Sequence, residues 1–222
     1  MSDILLAIDD VHVRIGAVEA VRGFTLHAPR GRMVGLAGRN GAGKTTVMRT
    51  VMGLLPATAG TVRLDGEDLA AVPVHARTAL GVGYMPETRN LVPDLTVEEN
   101  ILLPTWVTPG TDAQARLDVV YDIMPELAEM RARKALLLSG GQQKMAALGR
   151  ALAIGTRLLL LDEPFEGVAP ALAQRLSDVI ASLARADLTV VMSMSEMAHA
   201  ESYLDEMFAI ERGANIAVEE AA

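Results

Sequence analysis

Lys44 sits in the run Gly38-Arg39-Asn40-Gly41-Ala42-Gly43-Lys44-Thr45-Thr46, which fits G-x-x-x-x-G-K-[ST] at every fixed position. Glycine at these places lets a backbone wrap tightly. Amides from Asn40 to Thr46, with the positive end of the following helix, then face the β- and γ-phosphates of a nucleotide. Lys44 adds a point charge between those phosphates, and the Thr45 hydroxyl suits Mg²⁺. A second element is the apolar run Leu158-Leu159-Leu160-Leu161, which ends in Asp162, Glu163 and Pro164. Two acids before a proline could simply favour a helix start. Beside a phosphate loop, Asp162 is expected to hold Mg²⁺ through water and Glu163 to orient or deprotonate an attacking water. The third element is Leu138-Ser139-Gly140-Gly141-Gln142. Taken alone it reads as a cap and a turn, yet serine and bare glycine amides at a helix start also form a second anion-binding end.

Holding these groups in place requires a strand before the loop and a helix after it, and the pattern supplies both. Met33–Ala37 reads as a short buried strand and Lys44–Leu55 as a helix. Upstream, Ile4–Ile15 and Val21–Ala28 alternate apolar and polar residues, as in antiparallel strands expected to cover one edge of the sheet. Thr61–Leu64 reads as a strand closed by Asp65-Gly66, and Leu80–Met85 as a further buried strand. From about Pro86 to Gly149 the pattern is helical, opening on the capping box Thr96-Val97-Glu98-Glu99. A helix is expected from about Gln142 to Ala153, after the third element. The runs Leu158–Leu161 and Leu188–Met192 are continuously apolar, as parallel strands covered on both faces are, and Pro170 fits the first turn of the helix between them.

The chain has 222 residues and a formal charge of -8, which suits one α/β domain with an inserted lobe and argues against broad capture of nucleic acid or anionic lipid. With no cysteine, disulfides and thiolate metal sites are ruled out. No apolar run reaches the length of a membrane helix, and the start Met1-Ser2-Asp3-Ile4-Leu5-Leu6 lacks the basic region of a signal peptide. Membrane association is therefore expected to come through partners.

The phosphate loop, the Asp162-Glu163 pair and the Leu138–Gln142 signature together resemble the nucleotide-binding subunit of an ATP-binding cassette (ABC) transporter. P-loop kinases and GTPases lack the signature. The resemblance implies a P-loop NTPase (RecA-like) α/β fold with a mixed sheet, an N-terminal antiparallel β-subdomain and an inserted helical subdomain. Its boundaries would be a core of 1–86 and 150–222 and a helical subdomain of 87–149. It implies ATP and Mg²⁺ as ligands and a second cassette, the same or different, in a head-to-tail dimer. Ser139, Gly140, Gly141 and Gln142 would then contact the γ-phosphate bound to that partner. Two permease subunits, a solute-binding protein acting through them and a peripheral position on the cytoplasmic face of the cell membrane are further implications. Tyr84-Met85-Pro86-Glu87, Leu95–Asn100 and Asp162–Pro170 look most like subunits importing branched-chain amino acids, urea or amides. A soluble ABC ATPase acting on ribosomes or DNA, or a regulatory cassette with little turnover, are the alternatives.

Three positions depart from the general ABC pattern. Ile15 stands where an aromatic usually stacks on adenine, and it offers no π face. Glu87 replaces the usual glutamine; it can ligate Mg²⁺, but without metal it would repel the γ-phosphate. Ser195 aligns with the usual switch histidine and can hydrogen-bond without carrying charge. His199, four residues on, is read as a surface residue in preference to a replacement switch. His12, His27 and His75 have no companion ligands in the sequence, and Met192, Met194, Met197 and Met207 are read as core filling. Trp106 fits either a groove receiving a permease helix or packing within the lobe.

Overall fold

The computed structural model describes residues 3–183, 188–195 and 203–218. Its centre is a six-stranded sheet made of β3 (Met33–Ala37), β6 (Val82–Met85), β7 (Leu158–Asp162), β8 (Thr189–Met194), β9 (Glu206–Glu211) and β10 (Ala214–Ile216). The spatial order is β10-β9-β3-β8-β7-β6. Every pairing is parallel except that of β10 with β9.

Alternation explains the unbroken apolar runs, because successive side chains leave a strand on opposite faces. Leu159, Leu161, Val190 and Met192 enter one core, while Leu158, Leu160 and Val191 enter the other. The first core holds helices α2 (Val97–Leu102), α3 (Ala113–Ile123), α4 (Pro125–Glu129), α5 (Gly140–Ile154) and α6 (Pro170–Leu183). Met192 and Met194 fill space there, as expected of buried methionine. The second core is closed by helix α1 (Lys44–Val51) and a separate antiparallel sheet.

That second sheet corrects the expected edge cover. Strands β1 (Ile4–Ile15) and β2 (Val18–Pro29) pair with each other, and β1 also pairs with β4 (Ala59–Leu64), which carries the two-residue β5 (Glu67–Asp68). The resulting sheet lies across a face of the central sheet, because Leu6, Ile8, Phe24 and Leu26 form a continuous apolar surface that needs a face to bury it. It also meets the central sheet's edge at β10, where Gly213 O accepts from Arg22 N at 2.7 Å and the Asn215 side chain accepts from Thr25 N at 2.8 Å and donates to Thr25 O at 2.9 Å.

Helix α1 ends at Val51, short of Leu55. Gly53 takes a left-handed φ of 73° and Leu54 N donates back to Arg49 O at 2.8 Å, a C-terminal motif that stops the helix. The buried guanidinium of Arg77 then caps the open carbonyls of Thr50 and Val51. Strand β6 starts at Val82 because Val74–Leu80 forms 3₁₀ turns ending in Gly81. Helix α5 starts at Gly140, two residues before the expected position. The capping box at Thr96 forms, with Thr96 Oγ1 accepting from Glu99 N and the Glu99 carboxylate accepting from Thr96 N.

Strand β6 and helix α5 meet without side chains between them. A Cβ on Gly83 would lie 2.2 Å from the Ala151 carbonyl oxygen and 2.9 Å from Gly155 Cα. Arg150 on the same helix donates to the carbonyls of Asn90 at 2.7 Å and Arg89 at 2.5 Å, just beyond that strand. Trp106 is 56 % exposed in the turn Thr105–Val107, so it is not packed inside the helical region. No helix among the described residues is long and apolar enough to cross a membrane.

Candidate nucleotide site

The carboxyl ends of β3, β8, β7 and β6 are neighbours in the sheet, and open α/β sheets bind ligands at that edge. From them come the loop carrying Lys44, then Ser195, then Asp162 with Glu163, and finally Glu87. A cavity of about 570 Å³ there is lined by Asn40, Gly41, Gly43, Lys44, Thr45, Thr46, Glu87 and Glu163 on one side. Val18, Glu19, Ala20, Arg22 and Arg212 complete its wall.

Lys44 is almost wholly buried and its Nζ is gripped by oxygens. It donates to the carbonyls of Gly38 at 2.5 Å and Arg39 at 3.1 Å and to Ser195 Oγ at 3.1 Å, and lies 2.9 Å from Glu163 Oε1. Three ammonium hydrogens are shared among four oxygens. Ser195 brackets the Glu163 carboxylate, its amide donating to Oε2 at 3.1 Å and its hydroxyl to Oε1 at 2.5 Å. The hydroxyl also lies 2.8 Å from Asn40 Oδ1. It has one proton, and the shorter contact, to a charged acceptor, takes it.

The backbone of Glu163 adopts a left-handed φ of 48°, uncommon for a non-glycine residue. Two buried side chains hold it there. Ser193 Oγ accepts from Glu163 N at 3.0 Å, and Lys144 Nζ donates to Glu163 O at 2.7 Å and to Glu166 O at 2.5 Å. Burial, and secondly the nearby Arg89 guanidinium, lower the Lys144 ammonium to a pKa of about 8.

Asp162 is fully buried; its Oδ1 accepts from Ser193 Oγ at 2.7 Å and Thr45 Oγ1 at 3.2 Å. Tyr84 OH stands 3.4 Å from Oδ2, and burial with the Asp162 charge pushes the phenol pKa upward, keeping it a donor. Burial and then the carboxylates of Glu166, Asp162 and Glu163 raise the Glu87 pKa. Among the described residues no three His, Asp or Glu side chains form a metal cage. The convergent oxygens of Thr45 and Asp162 do fit a hard cation that shares its remaining ligands with phosphates and water.

The signature residues lie elsewhere, since none of Ser139–Gln142 lines this cavity. Ser139 caps α5, its Oγ accepting from Gln142 N at 3.2 Å while Gln142 Oε1 accepts from Ser139 N at 3.0 Å. The exposed Ser139 hydroxyl keeps its proton for another acceptor. Ile15 is half-exposed at the end of β1 and is not among the lining residues; Val18 is. Gly38, Arg39 and Ala42 shape the loop without lining the cavity. His12 and His27 sit beside carboxylates, Glu19 at 3.0 Å and Asp9 at 2.7 Å. His199 and Met197 lie outside the described residues.

Comparison with known proteins decides the family. The family description "ABC transporter" matches residues 21–166. The chain belongs to the ABC transporter family. A high-affinity branched-chain amino acid transport ATP-binding protein, BraG of Pseudomonas aeruginosa, is 34 % identical over 94 % of this cassette and 90 % of the relative. The probable branched-chain amino acid transport protein LivF of Archaeoglobus fulgidus is 37 % identical over 72 % of this chain and 68 % of its own. The lipopolysaccharide export ATP-binding protein LptB of Escherichia coli is 31 % identical over 89 % and 83 %. Among solved structures, the ADP conformation of the cassette MJ1267 superposes with a TM-score of 0.85 at 24 % identity, covering 99 % of this chain and 93 % of that one. Dimeric MJ0796 gives 0.85 at 22 %, covering 96 % and 97 %. This cassette is thus an ABC ATPase subunit with the family's α/β fold.

Proposed function

We propose that this cassette hydrolyses ATP to drive an uptake transporter for branched-chain amino acids or a related small solute, as a peripheral subunit on the cytoplasmic face of the membrane. The similarity to BraG and LivF supports the solute class. The residue roles rest on one observation, the convergence of Lys44, Glu163 and Ser195 at the strand ends. An incoming γ-phosphate competes with the Glu163 carboxylate for the Lys44 ammonium. Once displaced, Glu163 stays bracketed by Ser195 and accepts a proton from the attacking water. Asn40–Thr46 amides bind the phosphates. Thr45, Asp162 and Glu87 would hold Mg²⁺, which when bound neutralises charge on the phosphate oxygens.

Ser139–Gln142 would complete the site of a second cassette, and the exposed Val74, Trp106 and Val107 offer apolar surface to permease subunits. A solute-binding protein would act through those permeases. The nucleotide assignment is tested by titrating labelled ATP against Lys44→Ala. Losing a charged hydrogen-bonding group contributing on the order of 1.5–3 kcal/mol should weaken binding at least ~10-fold; equal affinities would remove the assignment. The solute class is tested in proteoliposomes holding the full transporter, where leucine with its binding protein should accelerate ATP hydrolysis. Similarity to LptB makes lipopolysaccharide the competing cargo, and stimulation by that lipid alone would overturn the import reading.

A further inference from the structure

Part of the cavity wall, from the Val18–Arg22 segment and Arg212, has a composition that the phosphate chemistry does not use. None of the described lining residues is aromatic, so no side-chain ring is available to stack on a base. What the wall offers is Val18, 64 % exposed, and the guanidiniums of Arg22 and Arg212. Arg22 is engaged locally, its Nε donating to Glu19 O at 3.3 Å. The Glu19 carboxylate is taken by His12.

Arg212 is different. It stands at the turn between β9 and β10 with a left-handed φ of 49°, and its only carboxylate contact among the described residues is Glu211 at 4.0 Å. The turn itself is fixed. Gly213 N donates to Ala42 O at 2.8 Å, inside the phosphate loop, and Gly213 O accepts from Arg22 N at 2.7 Å, on β2. A rigidly placed backbone beside the phosphate loop therefore carries a largely free planar cation that lines the same cavity.

We infer that Arg212 is a nucleobase-binding residue, its guanidinium stacking on the purine face while Val18 covers the ring edge. The inference rests on the nucleotide reading of this cavity. A delocalised, weakly hydrated guanidinium is attracted to π faces where an ammonium is a point charge. It supplies in this chain a platform that an aliphatic Ile15 cannot.

The test compares two probes, ATP and inorganic tripolyphosphate, against wild-type full chain, Arg212→Ala and Lys44→Ala, all with Mg²⁺. The Arg212 side chain is 88 % exposed, so its removal leaves the fold intact. Arg212→Ala should weaken ATP by about two- to fivefold, the size of an exposed cation–π contact, and leave tripolyphosphate unchanged. Equal weakening of both probes would mean that Arg212 holds phosphate, and the inference fails. Unchanged ATP affinity in Arg212→Ala, with both probes weakened by Lys44→Ala, would also overturn it while the nucleotide site stands. Unchanged binding of both probes in Lys44→Ala would remove the nucleotide reading and this inference with it.

Discussion

Glu163 is held at every polar position: amide by Ser193, carbonyl by Lys144, carboxylate by Ser195 and Lys44. Glu163→Gln keeps the shape but cannot take the water's proton, so ATP binding should persist while turnover in the assembled complex nearly vanishes. An unchanged hydrolysis rate would show that Glu163 is not the base. Lys144 gives a pH test. Its folded pKa of about 8 lies below its ordinary value of 10.5, so between these pH values the unfolded chain binds more protons and stability rises with pH. Wild type should therefore gain in melting temperature on Lys144→Met from pH 8 towards pH 10.5; parallel curves would contradict the lowered pKa. The motif residues were legible because phosphate chemistry demands their types and spacing. Lys144, Ser193 and Arg212 carry no motif. The one available signal was a lysine on a helix position that the apolar pattern of α5 turns inward.

At the scale of elements, the continuous runs Leu158–Leu161 and Leu188–Met192 announced strands covered on both faces, and the two cores show why both faces had to be apolar. Strands β9 and β10 leave no clear signal in sequence because Glu206–Glu211 is half-exposed and mixes charge with apolar residues, so neither period dominates. The end of α1 is not legible in sequence because a glycine three residues before Pro56 can be tolerated or terminal, and only the Arg77 cap, from a distant segment, decides it. Gly83 offers a sharp test of packing. Gly83→Ala must push β6 from α5, and overpacking of this kind typically costs about 1–3 kcal/mol. Thermal unfolding should fall by several degrees; an unchanged melting temperature would mean the strand and helix have slack between them.

For the whole molecule, the signature stands outside the cavity around the chain's own Lys44, which is what the proposed pairing of two cassettes, each completing the other's site, requires. The outline of fold and family was readable because the phosphate loop, the Asp162-Glu163 pair and the signature are local motifs, whereas the stacking of the β1–β2–β4 sheet on a face depends on long-range burial that no local pattern encodes. A partner cassette with a charged switch residue would make the two composite sites unequal, the faster one being completed by Ser139–Gln142 here. In the reconstituted transporter Ser139→Arg should then lower ATPase rate more than Glu163→Gln does. Equal or greater damage from Glu163→Gln would show that Ser195 serves a fully working site.

The bare backbone contact between Gly83 and Ala151, with Arg150 gripping the carbonyls of Arg89 and Asn90, leaves no compressible layer between strand and helix. Like two blades on one rivet, the stretch carrying Glu87 and the helix headed by Ser139 must swing together. A push delivered near the exposed Trp106 would then, on the proposed roles of Glu87 and Ser139, reach both in a single stroke.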